Sequence, residues 1–243
     1  MTSLAHVAAL RLRRSPRPRS RTLLLGVPLT VQPSWLFGVA LTAWTATDAV
    51  LPATVPDRSL LTYAIGGVAL AAALAESLAL HEAAHCVAAR RAGLAVRRVS
   101  LGFLGGEAEL DALPRTPRVG AAVALAGPGT NAGIALVAAV THIVLVELQA
   151  DPLLAAIAAV LVVANLFLTI LNLAPGLPLD GGRVLHALVW ALSRREATAT
   201  RVATAGGRGL GAGLLGLALI VAATGDTAVA LWLAVLGLSV NGG

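Results

Sequence analysis

Lysine is absent from this 243-residue chain: all 18 basic side chains are arginine, and only 12% of residues carry a charge of either sign. Soluble domains are about one-quarter charged, so this balance excludes an ordinary water-soluble fold. Aromatic residues are scarce too, at 3%. The net charge of +6 and sequence pI near 11.3 would suit a nucleic-acid partner, but too few rings are present to stack bases. The arginines instead flank apolar runs, as loop anchors do, and no nucleic acid is expected. Cysteine occurs once, as Cys86, which excludes a disulfide within the chain. Its place beside His85 reads as helix packing. What abounds is hydrocarbon, with 57% hydrophobic residues and a mean hydropathy of +0.83, so a polytopic membrane protein is expected.

Residues 1–25 carry Arg11, Arg13, Arg14, Arg17, Arg19 and Arg21 with Pro16 and Pro18, and no signal-like apolar core follows. They read as an Arg-rich cytoplasmic segment ahead of one polytopic membrane domain over 26–243. G-V-P-L-T-V-Q-P-S-W, from Gly26 to Trp35, is a short β-prone piece leading into an apolar run to about Leu51. Further apolar runs cover roughly 60–89, 119–147, 153–175, 209–223 and 227–240, the last two being short for a span of ~20 residues. Counting all of them gives six crossings. With the N-terminus in the cytoplasm, Arg90, Arg91, Arg97, Arg98, Arg115 and Arg118 fall in one inner loop. Arg183, Arg194, Arg195, Arg201 and Arg208 fall in another, while Asp57, Arg58, Asp151 and Asp226 fall outside. A multi-pass protein of the cell membrane with both termini cytoplasmic follows from that bias.

Two segments are not ordinary connectors. Val96 to Glu109, V-R-R-V-S-L-G-F-L-G-G-E-A-E, places β-branched and apolar residues around Gly102, Gly105 and Gly106 and predicts a hairpin. A strand pair there would offer an edge to an extended peptide. Asn172 to Gly182, N-L-A-P-G-L-P-L-D-G-G, must unwind because Pro175 and Pro178 remove donors and crowd the preceding turn. Irregular backbone at membrane depth needs protein or water to satisfy it, so this segment is expected to face a cavity.

The chemistry lies in H-E-A-A-H, His81 to His85, near the end of a run whose one earlier charge is Glu76. At ~100° per residue the two histidines stand about 40° apart on one helix face, so both imidazoles can reach a single ion. Glu82 sits beside that face, placed to take a proton from an attacking water and not to bind the metal. In a soluble helix such a pentapeptide arises by chance, but in lipid each unpaired ionisable group costs about 2.5 kcal/mol or more, so three in five residues need a shared partner. Glu76 points about 180° away from His85 and is not expected to be catalytic. A hydrolytic zinc site takes a third protein ligand and keeps a fourth position open. Asp180 is the candidate, since its unwound segment ends the fourth crossing on the cytoplasmic side, where the pentapeptide ends the second. If the second helix stops near Ala89, a rise of ~1.5 Å per residue puts the histidines roughly 6–12 Å inside that boundary, a matching depth.

H-E-A-A-H and N-L-A-P-G-L-P-L-D-G-G, with G-V-P-L-T-V-Q-P-S-W and A-G-P-G-T-N (Ala126 to Asn131), resemble the site-2 protease family of intramembrane zinc metalloproteases. The likeness runs from Gly26 to about Leu192; beyond it, including the last two helices at about 209–240, only hydropathy matches. It implies an all-α membrane protein of six transmembrane helices with a small cytoplasmic β-hairpin or sheet near the active site. It also implies one zinc ion per chain held by His81, His85 and Asp180, with Glu82 catalytic. Asn131 matches a position that positions substrate or stabilises an oxyanion, with interhelical hydrogen bonding as the plain alternative. Asn165 and Asn172, seven residues apart, share a face, and Asn172 either touches the site or caps the helix break. The implied activity is a metalloendopeptidase that uses metal-activated water to cleave transmembrane segments of membrane-tethered proteins, in regulated intramembrane proteolysis. Single-span proteins such as anti-sigma factors would be its substrates. No nucleotide-binding pair follows the last crossing and no PDZ-sized insert is present, so control is expected from a prior cut or a regulatory membrane partner. A metal-ion or proton transporter using the same cluster is the competing reading.

Overall fold

The computed structural model describes residues 23–102, 105–225 and 227–241. In chain order these form β1 (Leu23–Leu24), β2 (Val27–Val31), α1 (Pro33–Thr54, π-helical over Ala46–Val50), α2 (Leu60–Arg91), β3 (Val96–Gly102) and β4 (Gly105–Leu110). There follow α3 (Pro117–Glu147), α4 (Pro152–Asn172), α5 (Asp180–Ser193), α6 (Glu196–Ala223) and α7 (Thr227–Asn241). Side-chain caps mark where the long helices start. Ser59 accepts from the Thr62 amide at 3.1 Å, Thr116 from Val119 at 3.3 Å and Asp151 from Leu153 at 2.8 Å. Pro117 and Pro152 open their helices, where a missing N–H leaves nothing unpaired.

Among the described residues five helices, α1 to α4 and α6, are long and apolar enough to cross a membrane. The sixth expected crossing is α7, an apolar helix of 15 residues, short of the ~20 that a perpendicular span takes. Leu36, Phe37, Ile65, Val68, Val163 and Ile170 are each at least 60% exposed. Bands of such side chains belong against lipid tails, not water. Arg58 pairs with Asp151 at 3.2 Å, so the α1–α2 and α3–α4 connections share one end of the bundle, as the charge pattern requires. Residues 1–22 of the Arg-rich segment lie outside the described residues, while Leu23–Leu24 already belong to the sheet.

The sheet is four-stranded, in the order β1-β2-β3-β4. The expected hairpin is there as β3 and β4, antiparallel through pairs such as Val99↔Ala108. The β-prone piece after Gly26 adds to it: β2 lies parallel to β3, Leu29 opposite Val99 and Val31 opposite Leu101. Arg98 reaches Glu109 at 2.7 Å and Arg97 reaches Asp111 at 2.8 Å, bracing the hairpin. Val27, Val99 and Leu101 bury themselves against Cys86 of α2, which is fully enclosed, so the lone cysteine is packing. The sheet is thereby seated on the end of α2 that carries the histidines. Ala89, Leu94 and Val123 form a second small cluster that draws α3 to the same place.

The structure departs from the sequence reading between 176 and 208. That stretch was expected to be a loop, but it contains the whole of α5 and the first half of α6. Interleaved Arg, Thr, Gly and Glu hide both from a hydropathy window. The helix break itself is present over 173–179, but protein satisfies it where a cavity was expected. The Leu177 amide donates to the Ala203 carbonyl of α6 at 3.1 Å. Contact is backbone to backbone: a Cβ on Gly206 would strike the Pro175 carbonyl, and one on Gly207 the Leu177 carbonyl. Two adjacent glycines on α6 thus let the unwound segment lie flat and set the start of α5.

Candidate metal centre

His81 and His85 lie one turn apart on α2, and the proton on each ring is placed by what its Nδ1 meets. His85 Nδ1 stands 2.7 Å from the Val123 carbonyl of α3. A carbonyl can only accept, so Nδ1 carries the hydrogen, and in the neutral ring that a metal requires Nε2 is left with a lone pair. His81 Nδ1 stands 2.9 Å from Asn131 Oδ1, also on α3, which leaves its Nε2 in the same state. The two Nε2 atoms are 3.1 Å apart. Asp180, the first residue of α5, brings its Oδ2 to 3.2 Å from His81 Nε2 and 3.1 Å from His85 Nε2. Its other oxygen faces Arg183 at 3.7 Å, and the start of a helix favours a negative group.

Three residues spread over 99 positions of sequence thus aim three acceptor atoms at one point, and all three are at least 94% buried. Lone pairs so close repel unless a cation lies among them. A tetrahedral zinc site with bonds of 2.0–2.1 Å sets its ligand atoms about 3.3 Å apart, close to these separations, and its fourth position stays free. The donor set therefore fits a zinc ion. Glu82 is buried beside the group without being one of the converging three, and β4 presses on it so closely at Gly106 that a Cβ there would strike the Glu82 carboxyl group.

The remaining expected residues divide. Asn131 is fully buried and makes an interhelical hydrogen bond, but the group it holds is the ring of His81; its own Nδ2 has no partner. Asn172 is not brought to the cluster among the described residues, its amide donating back to the Leu168 carbonyl at 3.0 Å. Asn165 does likewise, to Leu161 at 3.0 Å. Glu76 is exposed on the side of α2 away from the histidines, as expected. The Val123 carbonyl was not foreseeable, having no side chain to read. Arg183 and Gly106 were visible in motifs already singled out, and only packing gives them their roles. Groups that orient a metal-bound histidine commonly matter 10–100-fold for metal affinity. Asn131→Ala is accordingly expected to weaken zinc binding by about 10–100-fold while leaving the fold, with competition against a zinc chelator as the measurement. Unchanged affinity would mean the amide does not orient the ring.

Fold and site together define a multi-pass helical membrane protein with a buried His-His-Asp group at one end of its second span. Residues 69–154 and 144–214 match Peptidase family M50, and the chain belongs to that family. It is 34% identical over 206 residues to "Putative zinc metalloprotease Rip3" of Mycobacterium tuberculosis, covering 84% of this chain and 50% of that protein. It is likewise 34% identical over 188 residues to "Putative zinc metalloprotease sll0528" of Synechocystis sp., covering 77% and 48%. The chain thus spans about half the length of these curated relatives. The solved Site-2 Protease from Methanocaldococcus jannaschii shares the fold, with a TM-score of 0.58 at 21% identity over 90% of this chain and 93% of that one.

Proposed function

We propose that this chain is an intramembrane zinc metalloendopeptidase that cuts transmembrane segments of membrane-tethered proteins. The observation that carries this is the convergence of His81 Nε2, His85 Nε2 and Asp180 Oδ2 within 3.2 Å of one another, with Glu82 alongside, on a helix long enough to cross the bilayer. Zinc held there supplies Lewis-acid polarisation of a water and of the scissile carbonyl. The Glu82 carboxylate takes the proton that the attacking water gives up and returns it to the departing amide nitrogen. Asn131 keeps His81 in the tautomer that presents Nε2, and its unpartnered Nδ2–H is a donor for an oxygen that develops charge. Asn172, bonded to its own helix, is the weaker candidate for that task.

A cavity of about 310 Å³ with an apolar lining has room for a few side chains of a membrane segment. It is lined by Trp35, Thr42, Leu74, Leu78, Val160 and Trp232. Leu74 and Leu78 precede His81 by seven and three residues, so the cavity runs along the face of α2 that carries the histidines. A substrate helix has its amides already paired and must unwind before a carbonyl can react. β4, beside Glu82, is where an extended peptide could pair. The arginine bias supports a site toward the cytoplasm of the cell membrane, and with α7 as a sixth crossing both termini lie inside. Single-span regulators, anti-sigma factors among them, fit as substrates, with a prior cut or a membrane partner as control.

The test uses the purified chain in lipid vesicles with single-span substrates. One zinc per chain is expected, with cleavage abolished by 1,10-phenanthroline and restored by added zinc. Stoichiometric zinc without cleavage of any single-span substrate would sink the reading.

A further inference from the structure

A-G-P-G-T-N contains three small steps on α3, and its glycines are not equivalent. A Cβ built on Gly129 would meet nothing within 4 Å, and the same holds for Gly133 one turn later. A Cβ built on Gly127 would collide with Nε2 of His85 and Nε2 of His81 at once, and would lie 2.6 Å from His81 Cε1. An atom that crowds both of those nitrogens stands in the space onto which their lone pairs converge, together with Asp180 Oδ2. The gap left by the missing side chain of Gly127 is therefore the coordination space itself.

We infer that Gly127 is a positioning residue of the metal centre: its bare Cα holds open the space in which the ion is bound, and any side chain there displaces the imidazoles or the ion. The inference rests on the metal reading above and concerns a residue outside the donor set. Gly127 and Asn131 lie four apart, hence on one face of α3. They act on His81 by opposite means, one fixing its ring through a hydrogen bond at 2.9 Å and the other by offering nothing for the ring to strike. Helix propensity does not explain a glycine here. Alanine is the better helix former, so a position chosen for the helix alone would not carry glycine. Nor is flexibility needed, since Gly127 is buried within a continuous helix over Pro117–Glu147.

The experiment compares full-length wild type, Gly127→Ala, Gly129→Ala and Gly133→Ala in detergent, reading zinc content, helical circular dichroism, and the visible absorption of the cobalt-substituted protein. Wild type and both control variants are expected to hold one metal per chain with the same cobalt bands. Gly127→Ala is expected to keep its helical signal, bind zinc about 100-fold or more weakly, and show shifted or absent cobalt bands. Wild-type stoichiometry and wild-type bands in Gly127→Ala would overturn the inference, as would equal losses in the two controls. If wild type itself holds no metal, the metalloprotease reading fails first and this inference with it. Should Gly127→Ala not be recovered folded, the same change in a His81→Ala/His85→Ala chain decides. With no imidazole left to strike, that chain must be recovered, and its failure would also overturn the inference.

Discussion

Glu82→Gln is expected to retain one zinc per chain and to lose cleavage by about 10²–10⁴-fold, the usual worth of a positioned general base. Glutamine keeps the shape of the side chain, so neither the packing of β4 on Glu82 nor the three converging ligand atoms should move. What disappears is the ability to accept a proton. Burial of Glu82 at 5% exposure means that no bulk water base can take its place. The same variant separates a protease from a metal or proton transporter built on the same residues. A transporter carrying this substitution would have no cleavage to lose, whereas a protease should keep its metal and fall silent. The readout is paired: metal content by elemental analysis, and product from a single-span substrate by gel. Full cleavage by Glu82→Gln would remove this residue from the chemistry, and loss of zinc would make it a ligand.

The legible parts of this molecule were those written in side-chain type and period. H-E-A-A-H put two imidazoles on one face because a helix places i and i+4 together, and the matching depth of the Pro-broken segment pointed to Asp180, which the structure brings to them. Hydropathy found α1 to α4, and the glycines at 102, 105 and 106 found the hairpin. What stayed hidden was written in the absence of side chains. Gly206 and Gly207 on α6 receive the unwound segment, yet each reads in sequence as just another small residue in an Ala-rich, Gly-rich run, and Gly106, legible as a hairpin glycine, gives no sign that it makes room for Glu82. The Val123 carbonyl that fixes the tautomer of His85 has no sequence signal of any kind. α5 escaped because amphipathic helices with Asp180, Arg183 and His186 on them fall below a membrane-hydropathy threshold. The parallel pairing of β2 with β3 joins segments separated by the whole of α1 and α2, a contact that local pattern cannot supply.

Asp180→Ala should take the metal away altogether at concentrations where wild type is saturated, an affinity loss above the ~100-fold associated with groups that merely orient a ligand. Two imidazoles would remain, both held by α3 through Asn131 and Val123, so the variant tests the carboxylate alone and not the shape of the histidine pair. Its negative charge matters as much as its oxygen. Asp180 is the anion that faces both Nε2 atoms, and with it gone a divalent ion would lose the carboxylate it meets directly in a site that is over 90% buried. Asp180→Asn keeps an oxygen in place without the charge, so it should bind more weakly than wild type but better than alanine, splitting geometry from electrostatics. Thermal unfolding in detergent gives an independent reading. A ligand that binds only the folded state stabilises it by about 2.7 kcal/mol at a hundred times its dissociation constant. Wild type should therefore melt higher with zinc than with chelator, while Asp180→Ala should melt at one temperature in both, near that of the chelated wild type. A zinc-dependent shift of wild-type size in Asp180→Ala would mean that the unwound segment between α4 and α5 does not supply the third ligand, and that the contact of Asp180 with both histidines serves packing alone.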